Sequence, residues 1–163
     1  MHGFLVVRSE AGKAIGSGEL IQFLRGDTVH FRLTFRFRDG SIDDESALFS
    51  QHQHYRLLSD HHIQRGASFP KPLDLTIAAD GQVTSRIAVP NGPPKVEVLR
   101  VAEPATLING MLCSILANLD PSQGDGLKLA MIAPAQKPRL IHLAVSHEPD
   151  QHFQIAGLHK TAT

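Results

Sequence analysis

Four histidines, His52, His54, His61 and His62, fall within the stretch SQHQHYRLLSDHHIQ, and three consecutive carboxylates, Asp43, Asp44 and Glu45, stand shortly before them. Imidazole and carboxylate at close quarters serve metal coordination and general acid–base chemistry. On a strand, His52 and His54 project from one face about 7 Å apart, close enough to share an ion if a neighbouring strand adds a third ligand. Asp43 and Glu45 also share a face, and Asp44 takes the other. The remaining spacings are less favourable. His61 and His62 are adjacent and point to opposite faces, and in one continuous strand His54 and His62 are about 26 Å apart. A tight turn at Ser59-Asp60 would set His61 opposite Leu58 and His62 opposite Leu57, so the four rings still do not meet. The expectation is that His52 and His54 decorate a solvated face, that His61 or His62 takes part in a buried hydrogen bond, and that no metal is bound. A metal-dependent enzyme using His52 and His54 with Asp43 and Glu45 is the alternative.

Other chemical signatures are absent from the sequence. It contains no GxGxxG, Walker loop, HExxH, CxxC or GxSxG. No catalytic residue and no cofactor is therefore assigned. The single cysteine, Cys113, excludes an internal disulfide and a zinc site of several thiolates. It lies in an apolar helical pattern and is expected in the core. Arg25-Gly26-Asp27 reads as a turn.

The elements that would position these residues are mainly strands. In HFRLTFRFRDG, Phe31, Leu33, Phe35 and Phe37 share one parity, the signature of a half-buried strand. A two-residue turn at Asp39-Gly40 would set Arg36 opposite Asp43 and Thr34 opposite Glu45. That register places Asp44 on the side of Phe35 and Leu33. A carboxylate among phenylalanines needs a partner or water. Either a bulge shifts the register, or the interior is wet at Asp44, which would suit a cavity. Phe31, Leu33, Phe35, Phe37 and Asp44 are accordingly the candidate ligand-binding residues.

GSGELIQFLRGD precedes this strand, and the next is expected to run on through ALFSQHQHYRLLSDHHIQRG. LDLTIAADGQVTSRIAV reads as a hairpin, KVEVLRVA, LKLAMIA and RLIHLAVSH as strands, and HFQIAGLHKTAT as a weaker one. PATLINGMLCSILANLDP carries Leu107, Ile108, Met111, Leu112, Ile115, Leu116 and Leu119 at helical spacing, between Pro104 and Pro121. Gly110 inside it points to close packing. The expected architecture is mainly β (α+β): a curved antiparallel sheet of about 7–10 strands, tending to an incomplete barrel, with one helix on its concave face.

The 163 residues suit a single domain, and 42% hydrophobic residues suffice for one core. Sixteen basic residues balance sixteen acidic ones, which excludes a nucleic-acid binder that relies on a broad basic field. No apolar run reaches a membrane span, and MHGFLVVRSE has no signal-peptide pattern.

FRDGSIDDESALFSQHQHYRLLSDHHIQRGASFPKPLDLTI, INGMLCSILANLDP and APAQKPRLIHLAVS, in that order, resemble a family of uncharacterised, exported, β-rich bacterial proteins. More remotely the pattern is similar to LolA-like half-barrel carriers. The resemblance implies a periplasmic or secreted binding or carrier module for a small apolar ligand or lipid. Family members are longer, so the resemblance also implies a chain truncated at both ends, with an open sheet edge through which it could self-associate. A structural domain packing on a partner through that edge is a further alternative. The resemblance assigns no catalytic or binding residue.

Overall fold

Period-two alternation carries most of this chain into strands, and short glycine turns fold them back on one another. The computed structural model describes residues 1–51, 55–89, 91–104, 107–120, 127–146, 151–155 and 158–162. Eight strands form one antiparallel sheet: β1 His2–Arg8, β2 Ala14–Arg25, β3 Thr28–Phe37, β4 Ile42–Ser50, β5 Arg56–Arg65, β6 Leu73–Ala78, β7 Gln82–Ile87 and β8 Lys95–Arg100. Each lies beside its sequence neighbours, and the sheet is not closed into a barrel. β9 Leu127–Ala133 and β10 Arg139–Val145 form a separate hairpin, as do β11 Gln151–Ile155 and β12 Leu158–Ala162. The one helix, α1, spans Leu112–Ala117. Among the described residues no helix is long and apolar enough to cross a membrane.

The turn between β3 and β4 decides which residues share a face. Arg36 pairs with Ile42, and the Phe37 N–H donates to the Ser41 carbonyl at 2.9 Å. The loop is Arg38, Asp39 and Gly40, with Gly40 left-handed at φ 83° and the Ser41 N–H donating to the Asp39 carboxylate at 2.9 Å. One loop residue more than a two-residue turn reverses the faces of β4. The placement of Asp44 beside the phenylalanines is thereby corrected: Asp44 pairs with Thr34, while Asp43 pairs with Phe35 and Glu45 with Leu33.

The long strand expected from Ala47 to Gly66 is also two strands. β4 ends at Ser50, and β5 returns antiparallel from Arg56. Between them the ladder carries a bulge: Leu48 pairs with Ser59 and Phe49 with Leu57, leaving Leu58 as the extra residue. This insertion keeps Leu57 and Asp60 on the same face, although three positions separate them.

That face, the inner one, holds the core of Phe31, Phe49, Leu57, Leu75, Ile77 and Val83. Leu107, Ile108, Met111 and Ile132 complete it from outside the sheet. Of the predicted helical stripe, Leu107, Ile108 and Met111 are buried, Leu112 and Ile115 pack partly against the core, Leu116 is exposed, and only the second half is helical. Leu107 bridges to Ala130, Asn109 binds both backbone groups of Ile132, and Gly110 has φ 68°. Side-chain bonding to backbone and a left-handed glycine both end a helix, so α1 starts only after them. Cys113, expected in the core, is exposed, while Ser114 is the buried residue of α1.

Candidate functional site

The centre of the sheet carries a polar group on each face. On the inner face, β4 supplies Asp43 and Glu45, and β5 supplies Asp60, His62 and Gln64. Glu45 pairs directly with His62, Asp43 with Gln64, and Ala47 with Asp60. Asp43 is diagonal to His62, and Glu45 to Asp60, within reach of these side chains. His62 Nε2 lies 2.6 Å from Asp43 Oδ1, and the Gln64 amide donates to Asp43 Oδ2 at 2.9 Å.

Burial alone would lower the His62 pKa. The Asp43 hydrogen bond and the charges of Asp43, Glu45 and Asp44 outweigh it, and the net shift is upward. Asp60 is 2% exposed, and neither of its carboxyl oxygens has a hydrogen-bond partner among the described residues. Burial holds its pKa well above the usual carboxylate range, and the neighbouring Glu45 pushes in the same direction. Asp60 is therefore neutral where an exposed aspartate is already charged.

The outer face bears a cleft of about 740 Å3 that spans β2 to β7. Ile21, Phe23, Leu48 and Leu58 supply apolar wall, and His30, Arg32 and His61 supply polar wall. The Leu58 bulge adds one apolar side chain that an uninterrupted strand would not present. Arg32 and His61 are already engaged. Arg32 donates to both Asp44 oxygens at 3.0 and 3.2 Å, and Thr34 donates to the same carboxylate. Burial would raise the Asp44 pKa, but the hydrogen bonds from Arg32 and Thr34 and the charges of Arg32 and Arg36 hold it below its ordinary value. His61 Nε2 lies 2.9 Å from Asp74 Oδ1, and the His30 ring stacks on Phe23 with centroids 4.7 Å apart.

His61 and His62 thus take opposite faces, and His62 makes the largely buried hydrogen bond that the sequence anticipates. His52 and His54 lie outside the described residues. Among the described residues no three His, Cys, Asp or Glu side chains converge on a point where a metal could sit, and Asp43 is committed to His62 and Gln64. Phe31, Leu33, Phe35 and Phe37 point to the inner face; Phe31 also borders the cleft, whereas Leu33, Phe35 and Phe37 do not line it. Phe31 is buried in the core, Leu33 packs against it, the Phe35 ring lies over Gly18, and Phe37 meets Phe69 edge-on at 5.6 Å. Sequence reasoning does not single out Asp60, Leu48 or Leu58. Their placement depends on the bulge, which no residue type in LLSDHH announces.

The ion pair gives a pH expectation. A raised histidine pKa contributes stability that is complete below the ordinary value near 6.5 and is lost as pH rises through the folded value. Wild type should therefore lose stability on the alkaline side of neutrality. Asp43→Asn should remove on the order of 1–2 kcal/mol below pH 6 and much less above pH 9. Urea midpoints across that range test this, and a pH-independent loss in the variant would count against the ion pair as its source.

No protein-family model, no curated protein and no solved structure matches this chain.

Proposed function

We propose that the chain is a non-catalytic binding module that carries a small, largely apolar molecule in the outer cleft. The observation that carries this reading is the cleft itself: about 740 Å3, with Ile21, Phe23, Leu48 and Leu58 as its apolar wall, and large enough for a ligand of drug or short-lipid size. Arg32 and His61 are paired with Asp44 and Asp74, so the cleft offers shape and apolar surface more than free charge. Among the described residues no cleft nucleophile is hydrogen-bonded to a base, which acyl or phosphoryl chemistry would need. The sequence resemblance to exported bacterial proteins supports a setting in the cell envelope.

Titration with the neutral fluorescent probe 1-N-phenylnaphthylamine tests the reading. Saturable binding is expected, with affinity reduced about tenfold by Leu48→Gln, equivalent to about 1.4 kcal/mol of lost contact. Val98→Gln, at an exposed apolar residue outside the cleft lining, should leave affinity unchanged. Absence of saturation, or equal effects of the two variants, would overturn it.

A further inference from the structure

We propose that the segment 107–117, which covers the inner face, is a pH-sensitive latch: a proton on the buried Asp60 carboxyl keeps it seated on β4 and β5, and loss of that proton lifts it.

The contact is direct. A Cβ on Gly110 would lie 2.2 Å from the Ala47 Cβ and 3.3 Å from Asp60 Oδ2. The glycine backbone thus sits against β4 and β5 with no room for water over the Asp60 carboxyl. A neutral carboxyl tolerates such a site. An ionised one requires hydrogen-bond donors, and the described residues provide none.

Among the described residues no cation is dedicated to Asp60. β4 contributes the carboxylates of Asp43 and Glu45, and β5 contributes His62 and Gln64. His62 is hydrogen-bonded to Asp43 and stands opposite Glu45 in the ladder. β3 contributes Phe31 and Leu33, β6 contributes Leu75 and Ile77, the covering segment contributes Asn109, Gly110 and Met111, and β9 contributes Ile132, all uncharged. The protonated His62 favours the anion on Glu45, its partner in the ladder, while the buried Asp60 keeps its proton. Deprotonation leaves Asp43, Glu45 and Asp60 facing one imidazolium. Water is the remaining donor, and it reaches Asp60 when Gly110 backs away. The tethers are few: Asn109 with Ile132, the Ile108 N–H to the Ala130 carbonyl at 3.0 Å, and the Ser114 hydroxyl to Gln22 Oε1 at 2.9 Å.

Hydrogen exchange on the full chain from pH 4.5 to 8.5, corrected for the intrinsic pH dependence, reads the latch. Amides of residues 107–117 should lose about tenfold or more in protection across this range, while amides of β6 and β7 keep theirs. Asp60→Asn, neutral at every pH, should abolish the loss. No loss in wild type, or the same loss in Asp60→Asn, would overturn the proposal. If Asp60→Asn does not fold, Glu45→Gln decides. Without the Glu45 charge Asp60 ionises more readily, so the midpoint of opening should move to lower pH. An unmoved midpoint would overturn the proposal.

Discussion

Gly110→Ala is expected to be the most damaging single-methyl substitution in the protein, costing roughly 2–5 kcal/mol. Two effects act together. The residue has φ 68°, a left-handed conformation that an L side chain adopts only with strain. Its new Cβ would also meet the Ala47 Cβ at 2.2 Å, well inside contact. Ala47 is 3% exposed in the middle of β4 and cannot swing aside as a long side chain can. Relief must come from lifting the covering segment, which exposes Met111, Leu107 and the apolar face beneath. Gly92→Ala is the matched control: its φ is not left-handed, and the nearest atom to a new Cβ is Val89 Cγ1 at 3.6 Å. Urea unfolding should place Gly92→Ala within about half a kcal/mol of wild type and Gly110→Ala far below it. Equal midpoints for the two would mean that the segment is not seated on Ala47.

Asn109→Ala should cost roughly 2–4 kcal/mol, although it removes only a small polar side chain. The Asn109 amide donates to the Ile132 carbonyl at 2.9 Å, and its oxygen accepts from the Ile132 N–H at 2.8 Å. Both residues are buried, with Asn109 at 3% and Ile132 at 0% exposure. Truncation orphans a backbone donor and a backbone acceptor together, and each unsatisfied group costs about 1–3 kcal/mol. The injury should be local as well as global: protection of the β9 amides should fall more than that of β3. A loss below half a kcal/mol would show that the carboxamide is not what joins the covering segment to β9.

The strands were legible because period two is a property of neighbouring residues alone. The Phe31 to Phe37 alternation, the turns at Arg25-Gly26-Asp27 and Ala79-Asp80-Gly81, and the opposed faces of His61 and His62 all follow from it. Register was not legible. Asp39-Gly40 suits a two-residue turn, but Gly40 closes a three-residue loop, and that one residue decides whether Asp44 or its neighbours Asp43 and Glu45 face the core. The Leu58 bulge has the same character: it turns Asp60 inward and leaves no compositional mark. The segment from Leu107 to Ile115 shows a third limit. Apolar residues at helical spacing were satisfied by a bridge, a left-handed glycine and a short helix in succession, so burial was readable and backbone conformation was not. The cleft could not be read at all, since its lining comes from six strands whose alignment depends on those registers.

The order of the strands has a consequence for how the chain loses its entropy. Strands β1 to β8 each pair with a sequence neighbour, so most of the sheet closes through short loops, and its contact order is low for a β protein. The covering segment and β9 reach the sheet from far along the chain. Gly110 meets Ala47 and Asp60, and Ser114 bonds to Gln22 across 92 positions of sequence. The meander can assemble by extension from any hairpin, whereas its apolar face must wait for these distant closures. Until then Phe31, Phe49, Leu75 and Ile77 stand uncovered, and the interval between sheet formation and closure is when the chain is most exposed to aggregation.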